Sequence, residues 1–408
     1  MKAGWQTKTL EEACQFSNGL WKGEKPPFMK VGVIRNTNFT KEGTLDDSDI
    51  AYLDVEAKKL EKRRLQFGDI ILEKSGGGPK QPVGRVALFD KKDGDFSFSN
   101  FTAALRVLDP NALDFRFLHK YLYWTYLSGV TEGMQSHSTG IRNLDGDAYK
   151  AIKISFPPLP EQQRIVGILD KAFDGIATAK ANAEKNLQNA RALFESHLQS
   201  VFTEHGEGWV ETALGVVCGF ENGDRGKNYP NRNEYVDSGI PWINTGHIQP
   251  DGTLSESEMN FITEEKFKSL RSGKIQAGDL VYCLRGATLG KIALIQPFTI
   301  GAVASSLVIL RPRNMLDSRF LYHYLSSPIG RESIKTYENG AAQPNLGAKS
   351  VAKFRINLPS IAAQKEIVSK LDDIRSETQR LESLYQRKLA ALDDLKKSLL
   401  HQAFSGQL

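Results

Sequence analysis

Several common classes of protein are excluded by what this 408-residue chain lacks. It has 3 cysteines, Cys14, Cys218 and Cys283. They are odd in number and far apart, which supports neither a disulfide framework nor a zinc cluster. The 7 histidines show no paired spacing of the kind that holds a metal. No run approaches the roughly 18 apolar residues of a membrane span, and the N-terminal MKAGWQTKTLEEA has no apolar signal core. The expectation is a cytoplasmic chain with no membrane contact.

Catalytic motifs are missing too. GATLGKI from Gly286 has a Gly-Lys pair, but the spacing is short and no Ser or Thr follows Lys291, so it cannot cradle a phosphate as a P-loop does. GGGPKQPVGRV from Gly76, its counterpart earlier in the chain, has even less of that pattern. FPPL at Phe156 lacks the polar residue with which an adenine methyltransferase bonds the target amino group. Asp69 and Glu73-Lys74 do not form the carboxylate-x-Lys spacing of a metal nuclease. A chain without intrinsic catalysis and without a cofactor of its own is expected.

What is present is a repeat, and repeats decide architecture before motifs do. Trp5, Cys14, Asn18 and Gly19 recur as Trp209, Cys218, Asn222 and Gly223 at a constant offset of 204. PFMKVGVI from Pro27 answers PWINTGHI from Pro241, LQFGDIIL from Leu65 answers IQAGDLVY from Ile275, and GRVAL from Gly84 answers GKIAL from Gly290. RFLHKYL from Arg116 answers RFLYHYL from Arg319. Short apolar runs bounded by Gly and Asp turns read as strands. The two RFL segments carry helical spacing behind an Asp suited to an N-cap. Each copy is therefore α+β with an antiparallel tendency.

Each copy ends in a long helical stretch. Val166, Leu169, Phe173, Ile176, Lys180, Ala183, Leu187, Ala190, Phe194, His197 and Val201 alternate spacings of three and four after a proline-rich strand exit. Ile367, Leu371, Ile374, Thr378, Leu381, Tyr385, Lys388, Leu392, Leu395 and Leu399 repeat the pattern. This is the stripe of helices that lie along a partner helix, and about 40 residues at 1.5 Å each makes each about 60 Å long. The expected order is a first domain over 1–156, a central helix over 157–205, a second domain over 206–357 and a C-terminal helix over 358–408.

Charge sits in the globular copies. Residues 1–156 hold 23 Lys+Arg against 20 Asp+Glu, and 208–357 hold 17 against 14, so each is +3. The helical stretches hold 5 against 7 and 8 against 7. An excess this mild is only a weak pointer to nucleic acid.

Three pairs of loops are better candidates for a phosphate or base contact. Lys74, Ser75, Lys80 and Gln81, with Arg85 just beyond, correspond to Arg285, Thr288 and Lys291 in the second copy. Glycines there let a backbone approach a phosphate, and Lys or Arg can neutralise it or read guanine; a solvated hairpin has the same composition. Thr139, Arg142 and Asn143 correspond to Gln343 and Asn345, where a structural Asn cap is the alternative. Lys22 lies in the loop equivalent to Arg225, Lys227, Asn228 and Tyr229, a basic and aromatic stretch that also suits a solvated turn.

PPLPEQQRIVGILD from Pro157, ENGAAQPNL and the terminal LLHQAFSGQL, set in two globular units that each lead through a Gln-x-x-Ile-Val start into a long helix, resemble the DNA-specificity subunit of type I restriction-modification systems. LPSIAAQKEIVSKLD departs from the first exit at Ala362-Ala363. The resemblance implies two target-recognition domains, each reading half of a bipartite site in double-stranded DNA. It implies two antiparallel helices forming a coiled coil that sets the distance between the domains. It implies partners as well: two methyltransferase subunits that use S-adenosylmethionine, and restriction subunits that use ATP with Mg. The duplication suits two copies of one partner. A coiled-coil scaffold carrying two protein-binding domains is the competing expectation.

Overall fold

A computed structural model describes residues 4–20, 23–78, 81–138, 141–204, 206–337 and 345–408. The chain divides into two compact units, Met1–Ala183 with Arg387–Leu408, and Glu184–Gln386. The division falls inside both long helices, Leu159–Thr203 and Ile361–Ser405, each of 45 residues. Each unit is thus one globular repeat together with part of each helix.

The first unit is built on a four-stranded antiparallel sheet in the order Cys14–Asn18, Thr102–Val107, Ile70–Glu73, Val86–Leu88. Side chains alternate across a strand, so Ile70, Leu72, Val86 and Leu105 face Phe117, Leu122 and the helix residues Val166, Leu169 and Leu400. Ile71, Ala87 and Ala104 face Ile34, Phe39, Phe89 and Phe98 on the other side. Both faces are apolar because both are covered. A second sheet of Ala51–Glu56, Phe28–Ile34 and Phe96–Phe98 includes a parallel pair, Gly32 to Phe96, where only an antiparallel tendency was expected.

The second unit repeats both of these sheets in the same strand order. Its main sheet runs Cys218–Asn222, Leu307–Pro312, Leu280–Cys283, Ile292–Leu294. Leu280, Tyr282, Val308 and Leu310 pack on Phe320, Leu198, Phe202 and Leu371, and Val281, Ala293 and Ile309 pack on Ile243, Ile248 and Val303. The helices behind the sheets, Phe115–Leu127 and Ser318–Ser326, start as expected with Asp114 accepting from the Arg116 N–H and Asp317 from the Arg319 N–H. A Cβ on Gly19 or Gly223 would strike the carbonyl of Ser99 or Ala304, so the recurrent Asn-Gly marks a close backbone crossing.

The long helices run antiparallel within each unit. In the first, Lys180 Nζ pairs with Asp393 at 2.7 Å; in the second, Arg191 pairs with Glu382 at 3.2 Å. Lys180, which interrupts the apolar stripe, therefore has an ionic partner on the facing helix. Val166, Leu169, Ile176 and Leu371 are buried, and Phe173, Leu187, Phe194, Ile367, Ile374, Leu381, Leu392 and Leu399 are half-buried. The stripe drifts toward the ends. His197 and Leu395 are exposed, while Leu198, Phe202, Leu400 and Ala403 are buried instead. A helix of 3.6 residues per turn slips about 20° per heptad against a strict 3.5 repeat, so four to five heptads move the buried face by about one residue.

The Gln of each helix start has a specific task. Gln162 is fully buried; its Oε1 accepts from the Asp114 N–H at 2.8 Å, and its Nε2 donates to the carbonyls of Ala112 (2.8 Å) and Pro157 (2.7 Å). Gln364 does the same with Asp317, Met315 and Pro359, at 2.8, 2.9 and 3.0 Å. One amide thus ties the helix start to the loop capping the helix behind the sheet. Gln162→Ala or Gln364→Ala takes the partner from three backbone groups, some buried and some half-buried, and is expected to cost on the order of 3 kcal/mol. Calorimetry of the whole chain would show it, and a loss below about 1 kcal/mol would contradict this account.

Candidate nucleic-acid interface

The second unit carries a cleft of about 570 Å³ lined by Asn222, Asp224, Arg225, Arg271, Arg285 and Asn345 among others. Arg285 and Asn345 are brought together by strand-like pairing of their backbones, extended by Leu346 N–H to the Leu284 carbonyl at 2.9 Å. The Arg285 backbone is pinned further. Its carbonyl accepts from Thr288 Oγ1 at 3.3 Å, and Gly286 follows at φ +70°, which favours glycine. The Arg285 side chain is exposed and reaches no partner among the described residues. Arg225 donates from Nη2 to the Ser305 carbonyl at 3.2 Å.

Asp224 is only 2% exposed, a position that requires full pairing of its charge. It accepts from the Arg271 N–H at 2.9 Å, from the Gly226 N–H at 2.7 Å and from Arg271 Nη2 at 3.3 Å. Those bonds, the Arg271 backbone N–H first, hold its carboxyl down at about 2. The cleft thus presents three arginines against one buried carboxylate. Arg271 is the residue that sequence reading missed, because it lies 47 residues from Asp224 and outside every loop pair.

The first unit has the same backbone frame with different side chains. Leu144 N–H donates to the Lys74 carbonyl as Leu346 does to Leu284, and Asn143 pairs with Ser75 as Asn345 does with Arg285. The counterpart of Arg285 is therefore Ser75, and Lys74 stands one residue away. Because strand side chains alternate faces, that single step separates the two basic residues in direction. Ser75 Oγ donates to Asn143 Oδ1 at 2.6 Å. Lys74 Nζ donates to Asn18 Oδ1 at 2.9 Å, and burial pushes its ammonium below the ordinary value. Arg142 reaches Gln135 Oε1 at 3.5 Å.

The other residues of the expected set stand in different surroundings. Arg85 makes a two-pronged pair with the buried Glu73, Nε at 2.7 Å and Nη2 at 3.0 Å, and also donates to the Asn36 carbonyl. Gln81 turns its amide oxygen to the same guanidinium, 2.9 Å from Nη1. Asn228 Nδ2 donates to the Ser269 carbonyl at 2.6 Å, and Tyr229 packs edge-on against Trp242 at 5.3 Å. Thr288 fastens the turn after Arg285. Lys291 lines a different cleft, beside Phe194, Glu195 and Arg375. Lys227 is exposed and does not line the arginine cleft. Lys22, Lys80, Thr139 and Gln343 lie outside the described residues. Among the described residues no group of His, Cys, Asp and Glu could hold a metal ion, and no helix is long and apolar enough to cross a membrane.

The family description "Type I restriction modification DNA specificity domain" matches residues 2–188 and again 206–388. The EcoKI type I restriction enzyme specificity subunit of Escherichia coli K12 is 24% identical over 95% of this chain and 83% of its own length. The EcoBI specificity subunit of Escherichia coli is 23% identical over 69% of this chain, and the match spans 64% of that subunit, under two thirds. Among solved structures, a chain from the work entitled "Structural basis underlying complex assembly and conformational transition of the type I R-M system" has a TM-score of 0.79 at 20% identity, over 100% of this chain and 99% of that one. The HsdS subunit from Thermoanaerobacter tengcongensis has a TM-score of 0.61 at 20% identity, covering 100% and 98%. The structural likenesses establish a shared fold.

Proposed function

Since the chain belongs to the type I restriction-modification DNA specificity family, we propose that it is the specificity subunit of such a system, reading a bipartite site in double-stranded DNA, one half per unit. It directs adenine methylation, or restriction, by two methyltransferase subunits and by restriction subunits, and has no catalysis of its own. S-adenosylmethionine belongs to the methyltransferase subunits and ATP with Mg to the restriction subunits. The proposed DNA contacts are Arg225, Lys227, Arg285 and Asn345 in the second unit, and Lys74, Ser75, Arg142 and Asn143 in the first.

The observation that carries this reading is one frame with two sets of loop side chains. LEKRRLQFGD from Leu60 and LRSGKIQAGD from Leu270 set Glu61 against Arg271. Leu20 stands against Asp224, and Ser75 against Arg285. A common scaffold with diverged cleft chemistry suits two recognition sites for different half-sequences, since base edges are read by side chains and the backbone frame only places them. A scaffold that binds proteins alone gives no reason for an arginine cleft on one unit.

The test is a map of modified adenines in the source genome. The expected result is a bipartite motif with a fixed gap and two unlike halves, lost when this gene is deleted. A genome whose motifs are all unchanged by the deletion would refute the reading.

A further inference from the structure

We propose that Arg271 is the base-reading arginine of the second unit: its guanidinium, held by Asp224, takes the O6 and N7 edge of a guanine, while Arg225 and Lys227 serve phosphates. The assignment rests on the DNA reading above and adds a specificity-determining residue and the base it selects.

Three observations converge on it. First, Asp224 is a buried carboxylate whose hydrogen bonds go to the Arg271 N–H, Arg271 Nη2 and the Gly226 N–H, so it fixes both the backbone and the head of that arginine. Second, the Arg271 side chain remains 70% exposed and opens into the cleft shared with Arg285 and Asn345. Third, a Cβ on Gly226 would collide with Arg271 Nη2 and Cζ. The loop is therefore cut away where the guanidinium lies.

A phosphate is satisfied by a mobile point charge, as an exposed lysine provides. Reading guanine demands two parallel N–H groups held in one plane against O6 and N7. Binding to such a fork is cheaper when its rotamer is already fixed, because less side-chain entropy is lost on contact. Arg271, oriented by a buried carboxylate on a side chain that stays 70% exposed, meets that demand. Each arginine head makes one bond, but the acceptor of Arg225 is the neutral Ser305 carbonyl and that of Arg271 is a buried carboxylate, which holds a guanidinium more strongly; Lys227 has no partner among the described residues. In the first unit Glu61 and Leu20 replace Arg271 and Asp224, so this reader belongs to one half-site.

The experiment uses the chain assembled with its methyltransferase subunits, on duplexes carrying the mapped motif and each single base-pair change in it, at several salt concentrations. Arg271→Ala and Arg271→Lys are expected to lower discrimination at one G·C pair of one half by about 10- to 100-fold, with other positions and the salt slope unchanged. Gly226→Ala, which displaces the guanidinium but keeps it, is expected to relax the same pair. Lys227→Ala should weaken every sequence alike and reduce the salt slope by about 1. If Arg271→Ala unfolds the unit, Arg271→Lys and Gly226→Ala decide. The assignment is overturned if the Arg271 variants behave as Lys227→Ala does, or if neither half contains a guanine they affect. Absence of any salt-dependent specific binding by the unaltered complex would instead overturn the DNA reading of the chain, and this assignment with it.

Discussion

Replacing Glu73 by alanine is expected to destabilise the first unit by on the order of 4 kcal/mol, the cost of leaving a buried charge without its partner. Glu73 is 1% exposed and accepts from Arg85 Nε and Nη2 and from Asn36 Nδ2 at 3.0 Å. Without it the Arg85 guanidinium, whose side chain is 15% exposed, keeps neutral partners among the described residues: the Asn36 and Phe39 carbonyls, the Phe39 ring and the Gln81 amide. The second unit shows how the site can be built otherwise. There Cys283 replaces Glu73 and an exposed Lys291 replaces Arg85, while the backbone bonds are kept: Glu73 N–H to the Arg85 carbonyl at 2.8 Å, and Cys283 N–H to the Lys291 carbonyl at 2.8 Å. The double variant Glu73→Cys with Arg85→Lys should therefore recover a large part of the loss. Calorimetry combined with hydrogen exchange would assign the shift to the first unit. A loss under about 1 kcal/mol for Glu73→Ala would mean that the pair contributes no more than a surface contact.

One turn inserted into both long helices, between Ala183 and Glu184 and between Gln386 and Arg387, is expected to lengthen the gap in the recognition motif by one to two base pairs. The two insertion points are where the chain passes from one unit to the other, and both helices continue through them without a break. A helical turn adds about 5.4 Å, and B-DNA rises about 3.4 Å per base pair. The half-sites themselves should stay the same, because the cleft residues are untouched. Mapping modified adenines in a strain carrying the variant reads both quantities at once. A motif with its original gap would show that the helices do not set the spacing.

The two kinds of prediction draw on different levels of the molecule. The duplication, the two long helices and the α+β character were legible in the sequence because each is a pattern of local periodicity or constant offset. Such patterns survive divergence: Cys14 and Cys218 still open equivalent strands, and Gln162 and Gln364 still make the same three bonds. That the two helices pair followed from the apolar stripe over most of its length, and their antiparallel sense from the family resemblance. The stripe failed near His197 and Leu395, where the mismatch between 3.6 and 3.5 residues per turn had accumulated to a full residue.

The basic residues separated along another line. By itself the amino-acid sequence determined that this is a tandem pair of α+β units on long helices, since burial of a periodic apolar pattern leaves little choice of architecture. Only the tertiary structure decided which cations are free to meet a ligand. Arg85 and Arg285 look alike in sequence, yet one is consumed by a buried carboxylate and the other stands exposed on a pinned backbone. Lys74 and Arg285 look equivalent, yet they are one strand residue out of step and point to different faces. Arg271 has no local signal at all, since the carboxylate that orients it comes from a distant loop. The reason is physical: the availability of a charged side chain depends on partners contributed by remote segments, and that pairing exists only once the chain has folded.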